Sequence, residues 1–146
     1  CAWAYQNPGP PHQGGEYIVG KDNPGVGRNA VLASAHNTDQ ISAFLFTPGF
    51  QSAQFIAATG AEHFSVLVNL GAGSDLLLYV DGILRATDVG GGGAIAWSAG
   101  TPWEFGRRQD SNDYLTGASD TVRFYNRALS PDEILRDYHA GKPAHP

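Results

Sequence analysis

The sequence predicts an all-β protein, an antiparallel β-sandwich with one short helix at the C-terminal end. Apolar and polar residues alternate over many short stretches, and the 146 residues include 19 glycines and 9 prolines. A helix-capping pattern occurs near the C-terminus. About ten short strands separated by turn residues are typical of sandwiches. The length fits one domain over residues 1–146.

The first half of the chain contains four strand candidates. They cover residues 2–5, 16–19, 30–35 and 41–46. Proline and glycine over residues 7–11 separate the first two, because these residues interrupt regular structure. The polar residues 36–39 separate the last two and predict a hairpin. We expect Trp3, in the first strand, to lie in the core.

A meander of three strands is predicted over residues 63–70, 76–80 and 83–87. In the first of these, alternate positions are apolar, namely Phe64, Val66, Val68 and Leu70. This period of two predicts a half-buried strand. Asp81 and Gly82 join the second and third strands, and they predict a two-residue turn because both residues tolerate positive φ.

The last third of the chain adds two strand candidates and the helix. The strands cover residues 102–106 and 121–125, and Val122 and Phe124 share a face that we expect to lie in the core. The helix signal is the string SPDE at residues 130–133, which offers an N-cap, a proline at the first helical position and a capping-box glutamate. The glycine run 90–93 is interpreted as a flexible loop.

Composition and motifs exclude several classes of function. Nine basic and fourteen acidic residues give a net charge of −5, which argues against nucleic acid and anionic membrane surfaces as partners. No apolar stretch is long enough for a transmembrane segment, and a single cysteine allows no disulfide within the chain. The four glutamates are isolated, and nucleophile-elbow, zinc-protease and phosphate-loop motifs are absent. We therefore expect a protein that is not an enzyme.

Two strings resemble a known family. LYVDG at residues 78–82 and GASDTVRFYNRALS at residues 117–130 resemble the closing half of laminin-G-like domains, in the concanavalin A-like jelly-roll superfamily. AWA at residues 2–4 and YIVGK at residues 17–21 are similar to early strands of that family. The resemblance implies a jelly-roll sandwich and an extracellular or cell-surface location.

The resemblance also implies an open sheet edge. The family's opening strands have no counterpart before Cys1, and a chain that begins at cysteine and lacks methionine predicts that an upstream segment was removed. The closing strand, from Thr121 to Tyr125, would then lack a neighbour. We expect another protein segment to pair with this edge.

The segment before Asp120 is a candidate calcium site. The oxygen-bearing residues are Asp110, Asn112, Asp113 and Asp120. Calcium prefers such oxygens, and the resembling family often binds it. Two interpretations stay open, because aspartate and asparagine also stabilise ordinary polar turns, and Thr121 stands where the family has a second aspartate.

Aromatic and basic residues are the candidates for ligand binding. They are Trp97, Trp103, Arg107, Arg108 and Tyr114. Aromatic rings stack on the apolar face of a sugar ring, although they also fill cores. We therefore expect a non-catalytic module that binds a glycan or a protein through loops at one rim. The alternative is a structural subunit that completes its sheet by pairing with a neighbouring chain as a homo-oligomer.

Overall fold

The computed structural model describes residues 1–6, 16–23, 27–35, 40–47, 49–57, 60–95, 100–107 and 114–144. The strands in these residues are β1 (Ala2–Gln6), β2 (Glu16–Asn23), β3 (Gly27–Ala35), β4 (Gln40–Thr47), β5 (Gly49–Ile56), β6 (Glu62–Asn69), β7 (Leu76–Val80), β8 (Ile83–Asp88), β9 (Glu104–Phe105) and β10 (Gly117–Asp120). Helix α1 spans Pro131–Gly141, and a 3-10 turn follows at Lys142–Ala144.

The strands form two five-stranded sheets. Sheet A has the order β10-β1-β6-β7-β8, and sheet B has the order β5-β4-β3-β2-β9. The pairings between these strands are antiparallel. The predicted antiparallel sandwich with a C-terminal helix is therefore confirmed. Among the described strands, β10 and β8 are the outer strands of sheet A.

One hydrophobic core lies between the sheets. Sheet A contributes Ala2, Leu78 and Val80, and sheet B contributes Ile18, Val19, Ile41, Ala43 and Ala53. These side chains are buried, as alternation on half-buried strands requires. The burial of this apolar surface joins the two sheets.

A second core lies on the outer face of sheet A, beneath α1. Its buried members are Trp3, Phe64, Val66, Val68, Tyr79, Leu129 and Ile134. The Trp3 ring centroid lies 5.3 Å from that of Phe64 and 5.7 Å from that of Tyr138. The core position expected for Trp3 is confirmed, but the second core shows that its strand is covered on both faces.

The prediction that residues 63–70 form a half-buried strand was therefore wrong in one respect. The apolar series that begins at Phe64 faces α1, and the opposite face carries Ser65, which is fully buried. The hydroxyls of Ser42 and Ser65 have no hydrogen-bond partner. Small or polar residues at alternate positions of β6 predicted a face exposed to solvent, whereas tertiary packing buries both faces of this strand.

The β7–β8 turn at Asp81 and Gly82 forms as predicted. The φ angles of Asp81 and Gly82 are 55° and 77°. Positive φ at both residues is required for a two-residue hairpin turn whose twist matches that of the flanking strands. The Asp81 carboxylate accepts a bond from the Phe64 N–H at 3.0 Å and lies 2.8 Å from Nδ1 of His63. A Cβ on Gly82 would come within 2.9 Å of Leu135 Cδ1, so the turn also fixes the position of α1.

The helix begins with the capping box that the sequence predicts. The Ser130 hydroxyl accepts from the Glu133 N–H at 3.3 Å, and the Glu133 carboxylate accepts from the Ser130 N–H at 2.9 Å. Arg127 donates to both carboxylate oxygens of Glu133, at 2.7 and 2.8 Å. Arg127, and secondly Ser130, lower the pKa of Glu133 to about 2.

Three of the four glycines in the run 90–93 are packed rather than solvent-exposed, which corrects the interpretation as a flexible loop. Gly91, Gly92 and Gly93 are buried. The Asn69 side chain donates to the Gly93 carbonyl at 2.7 Å and accepts from the Gly93 N–H at 3.0 Å. A Cβ on Gly92 would lie 2.6 Å from the Gly71 carbonyl oxygen. Glycine is required here because two backbones approach closely.

The closing strand ends earlier than predicted. β10 stops at Asp120, and residues 121–125 form no regular strand. Trp3 lies opposite Asp120, and Cys1 exchanges two backbone hydrogen bonds of 2.9 Å with Arg123. Between these two pairs, Ala2 alone faces Thr121 and Val122, which is a β-bulge in which Thr121 takes a φ of 53°.

Most other strand predictions are confirmed within a few residues. The candidate at residues 102–106 shortens to β9. The 36–39 turn lies outside the described residues, although Ala35 and Gln40 pair as a hairpin there requires. β5 was not predicted, because its string GFQSAQFI alternates only weakly.

Candidate functional site

Sheet A and sheet B end on the same side at β10 and β9, and aromatic residues are exposed there. We call this surface the aromatic flank and define it by Trp103, Phe105, Tyr114 and Phe124. The Phe124 ring centroid lies 4.4 Å from Trp103 and 6.4 Å from Phe105. Phe105 and Phe124 are 53% and 55% exposed, although each contacts another ring. Trp103 is half-buried and packs against the core between the sheets. Exposed rings such as Phe105, Tyr114 and Phe124 at one surface are typical of a binding site.

Strand geometry explains why these rings share one surface. Trp103 and Phe105 are two residues apart and straddle Glu104, which pairs with Gly20 of β2. Val122 and Phe124 follow the bulge at Thr121, and Val122 packs against the core between the sheets. Phe124 lies two residues after Val122 and points to the same side. The described part of sheet B ends there at β9, which has only two residues, so little of sheet B covers the Phe124 ring. The expected core position of Phe124 was therefore wrong.

A charged pair borders the aromatic flank. Arg107 donates from Nε to Glu104 at 2.8 Å and from a terminal nitrogen to the other carboxylate oxygen at 3.2 Å. This two-point hydrogen bond lowers the pKa of Glu104 and raises the pKa of Arg107. Both groups are charged at neutral pH, and each already has a partner.

Tyr114 is held beside Arg107 by backbone contacts. Arg107 and Tyr114 form a β-bridge, and Leu115 donates its N–H to the Gly106 carbonyl at 2.8 Å. Tyr114 is 52% exposed. The structure thus brings together two of the predicted ligand-binding residues, Arg107 and Tyr114, and places Trp103 at the other end of β9, against Phe124.

Other predicted site residues lie outside the described part of the chain. These are Trp97, Arg108, Asp110, Asn112 and Asp113. Asp120 is described, and its carboxylate accepts the Thr121 N–H at 2.6 Å, which supports the bulge. Among the described residues, no group of three His, Cys, Asp or Glu side chains could hold a metal ion. The calcium site stays a prediction.

Sequence reasoning missed Phe105 and misplaced Phe124. A signal for Phe105 was present, since Pro102 and Gly106 bound a very short apolar strand, and short strands with proline are typical of sheet edges. An aromatic residue on an edge has fewer neighbours to cover it. No sequence pattern predicts the exposure of Phe124, because this exposure depends on the bulge at Thr121 and on the short strand β9 at the end of sheet B.

The edge strand β10 adjoins the aromatic flank. All four of its residues are exposed. Within the described residues, β10 pairs with β1 on one side and ends sheet A on the other. Backbone N–H and C=O groups on such an edge can accept a further strand. The site therefore combines exposed rings with a sheet edge.

Comparison with known proteins identifies the family. Residues 1–135 match Laminin_G_3, a family of the Concanavalin A-like lectin/glucanases superfamily. The chain has no significant match among curated proteins. In the described residues, no helix is long and apolar enough to cross a membrane. The match covers most of the 146 residues, and the chain belongs to the Laminin_G_3 family.

Proposed function

We propose that this domain is a non-catalytic binding module that works outside the cell or at the cell surface, and that it takes its ligand at the aromatic flank. The observation that carries the proposal is the exposure of Phe105 and Phe124 beside Trp103. A water-exposed apolar surface is costly, and a bound partner would remove it from water. The superfamily also contains lectins, which supports a binding role.

The chemistry of the flank favours a polypeptide ligand. Phenylalanine rings offer apolar contact without hydrogen bonds, and the bordering Glu104 and Arg107 side chains already pair with each other. A sugar site needs several polar groups that fix the hydroxyls. A glycan that stacks on the same rings and also contacts Trp97 and Arg108 is the alternative ligand.

Binding of labelled domain to a glycan array and to an array of extracellular-matrix proteins tests the proposal. The double variant Phe105→Ser, Phe124→Ser should lose binding to the positive spots. The matched control is Ile56→Ser, which removes an apolar residue that is 68% exposed on β5. Binding that survives the double variant would place the ligand site elsewhere.

We also propose that calcium supports the rim through Asp110, Asn112, Asp113 and Asp120. These oxygens would supply part of the six to eight ligands that calcium takes. The ion would link residues 110–113 of the sequence to Asp120 of β10.

A second candidate function is that of a structural subunit in an extracellular or surface assembly. The specific observation in its favour is the edge of β10, which is exposed along its full length and adjoins apolar rings. Size-exclusion chromatography with light scattering separates the candidates. A structural subunit should associate at micromolar concentration, whereas a module for another ligand should remain monomeric.

A further inference from the structure

We propose that the ligand of the aromatic flank is a polypeptide segment that presents an arginine, whose guanidinium lies in the corner between the Phe105 and Phe124 rings. The inference rests on the proposed function and names the chemistry of its ligand. An aromatic ring attracts a cation over its face, because the π electrons give that face a partial negative charge. The flank would therefore select a basic segment from among apolar ones.

Two other aromatic rings near the surface of this domain already have such a cation. The Arg85 guanidinium lies 4.8 Å from the centroid of the Phe55 ring, and the Lys142 ammonium lies 5.3 Å from that of the Tyr138 ring. Both rings are half-buried. Each distance is within the about 6 Å over which a cation interacts with a ring face. Cations of the chain thus cover both of these rings.

The Phe105 and Phe124 rings are more exposed and lack a cation of this kind. They are 53% and 55% exposed. Among the residues that the structure describes, their ring contacts are with other aromatic rings only. Water covers the rest of each ring, so the ring faces are accessible to a cation of a partner.

The arginines closest to these two rings along the chain are held by carboxylates. Arg107 makes its two-point hydrogen bond with Glu104. A terminal nitrogen of Arg123 lies 3.7 Å from the Asp137 carboxylate. Either guanidinium would have to leave its carboxylate in order to cover a ring, and a two-point bond of this kind also fixes the direction of the guanidinium. A cation over the flank therefore comes from another molecule.

The geometry of the two rings suits one guanidinium. The Phe105 and Phe124 centroids are 6.4 Å apart, and the ring planes meet at 77°. A group in the corner between two nearly perpendicular rings lies over the faces of both and within about 6 Å of both centroids. Trp103 packs against Phe124 at 4.4 Å between centroids and holds that ring in place. Arginine suits this corner better than lysine, because a planar guanidinium also stacks on a ring.

The charge of the chain favours the same ligand. Fourteen acidic and nine basic residues give a net charge of −5. A protein of negative net charge attracts basic partners and repels acidic ones. Glu104 neutralises Arg107 beside the flank, so this arginine repels an incoming guanidinium only weakly.

Nuclear magnetic resonance of the isotope-labelled domain tests the proposal with two peptide probes. The first is the pentapeptide acetyl-Gly-Arg-Gly-Arg-Gly-amide. The second has citrulline in place of each arginine, which keeps nearly the same shape and removes the charge. We expect the arginine peptide to shift the backbone amide signals of Phe105 and Phe124, and to bind at least about fivefold more tightly than the citrulline peptide.

Substitutions at Phe124 separate the attraction of the ring for a cation from apolar contact. Phe124→Leu keeps an apolar side chain and should weaken binding of the arginine peptide about fivefold or more. Phe124→Trp should retain or strengthen binding, because tryptophan attracts cations most strongly. Val89→Ala is the control, at an apolar residue after β8 that is 83% exposed, and it should leave binding unchanged. Thermal melts confirm that each variant folds.

Three outcomes would overturn the proposal. They are equal affinity for the two peptides, unchanged binding of the arginine peptide by Phe124→Leu, and the absence of amide shifts at Phe105 and Phe124 in millimolar arginine peptide. The array experiment with the double serine variant is independent of these results. If that variant loses the positive spots while the two peptides bind equally, the flank is the ligand site and only the arginine is wrong.

Discussion

The two sides of the sandwich are built differently. At β5 and β8 the sheets are linked by polar and aromatic contacts. The Asp88 carboxylate of β8 accepts the Ser52 N–H of β5 at 2.9 Å, and Arg85 covers the Phe55 ring. At β9 and β10 the described contacts are between rings, of which Phe105 and Phe124 remain more than half exposed.

This difference predicts on which side of the sandwich a mutation lowers the free energy of unfolding. On the β5–β8 side, a substitution that removes a side chain exposes the core and breaks a contact between the two sheets. On the β9–β10 side, the same change removes apolar surface that water already contacts. Mutations on the first side should therefore change the free energy of unfolding, and those on the second side should change association.

The largest expected effect comes from Gly82→Val, at the turn that begins β8. Valine at a φ of 77° is strained, and its Cβ would contact Leu135 of α1 at 2.9 Å. We expect a loss of about 2–3 kcal/mol in the free energy of unfolding, measured by urea denaturation. Gly117→Val on β10 is the control. Gly117 has no positive φ, so a loss of similar size there would contradict the comparison.

The second prediction applies one substitution to both sides. Phe55→Ala removes a ring that packs against the core between the sheets and should cost about 2–3 kcal/mol. Phe105→Ala removes a ring that is 53% exposed and should cost less than about 1 kcal/mol. Chemical denaturation of both variants measures the difference. Equal losses would show that the aromatic flank contributes to the fold as much as the opposite side.

The third prediction concerns the pH dependence of stability at α1, which lies on neither side of the sandwich. The pKa of Glu133 is lowered to about 2, from an ordinary 4.5. Its stabilising contribution is therefore complete above pH 4.5 and is lost as the pH falls toward 2. Thermal melts of wild type and Glu133→Gln should differ at pH 6 and converge near pH 2. A gap that stays constant with pH would contradict the role assigned to Arg127 and Ser130.

The smallest expected effect concerns calcium at the rim. If Asp120 helps to bind the ion, millimolar calcium should raise the melting temperature by a few degrees relative to chelator, because a ligand stabilises the state that binds it. Asp120→Ala should abolish this difference, and Asp132→Ala at the start of α1 should preserve it. Identical wild-type melting curves in calcium and chelator would leave the polar-turn interpretation.

Local features of the fold could be predicted from the sequence. The turn at Asp81 and Gly82 and the capping box at Ser130 and Glu133 depend on residues within a few positions of each other. Their chemistry was sufficient without knowledge of the rest of the molecule. The strands next to clear turn residues were located for the same reason.

The exposed site depended on distant contacts. Val122 and Phe124 alternate as a core strand would, but the bulge at Thr121 and the short β9 leave only Val122 against the core. Ser65 alternates as a solvent-facing residue would, yet both faces of β6 are covered. In each case the alternation correctly predicts which residues share a face of the strand. Whether that face is buried depends on a strand or helix that is distant in the sequence.

The central position of β1 in sheet A has a consequence for folding kinetics. β1 joins β6 to β10, and Cys1 and Arg123 are 122 positions apart in the sequence. The β6–β8 meander needs only local contacts and can form early. The insertion of β1 must wait for long-range closure, which slows folding. Until then the edge of β6 that pairs with β1 is open, so the interval before β1 docks is when the chain is most prone to aggregate.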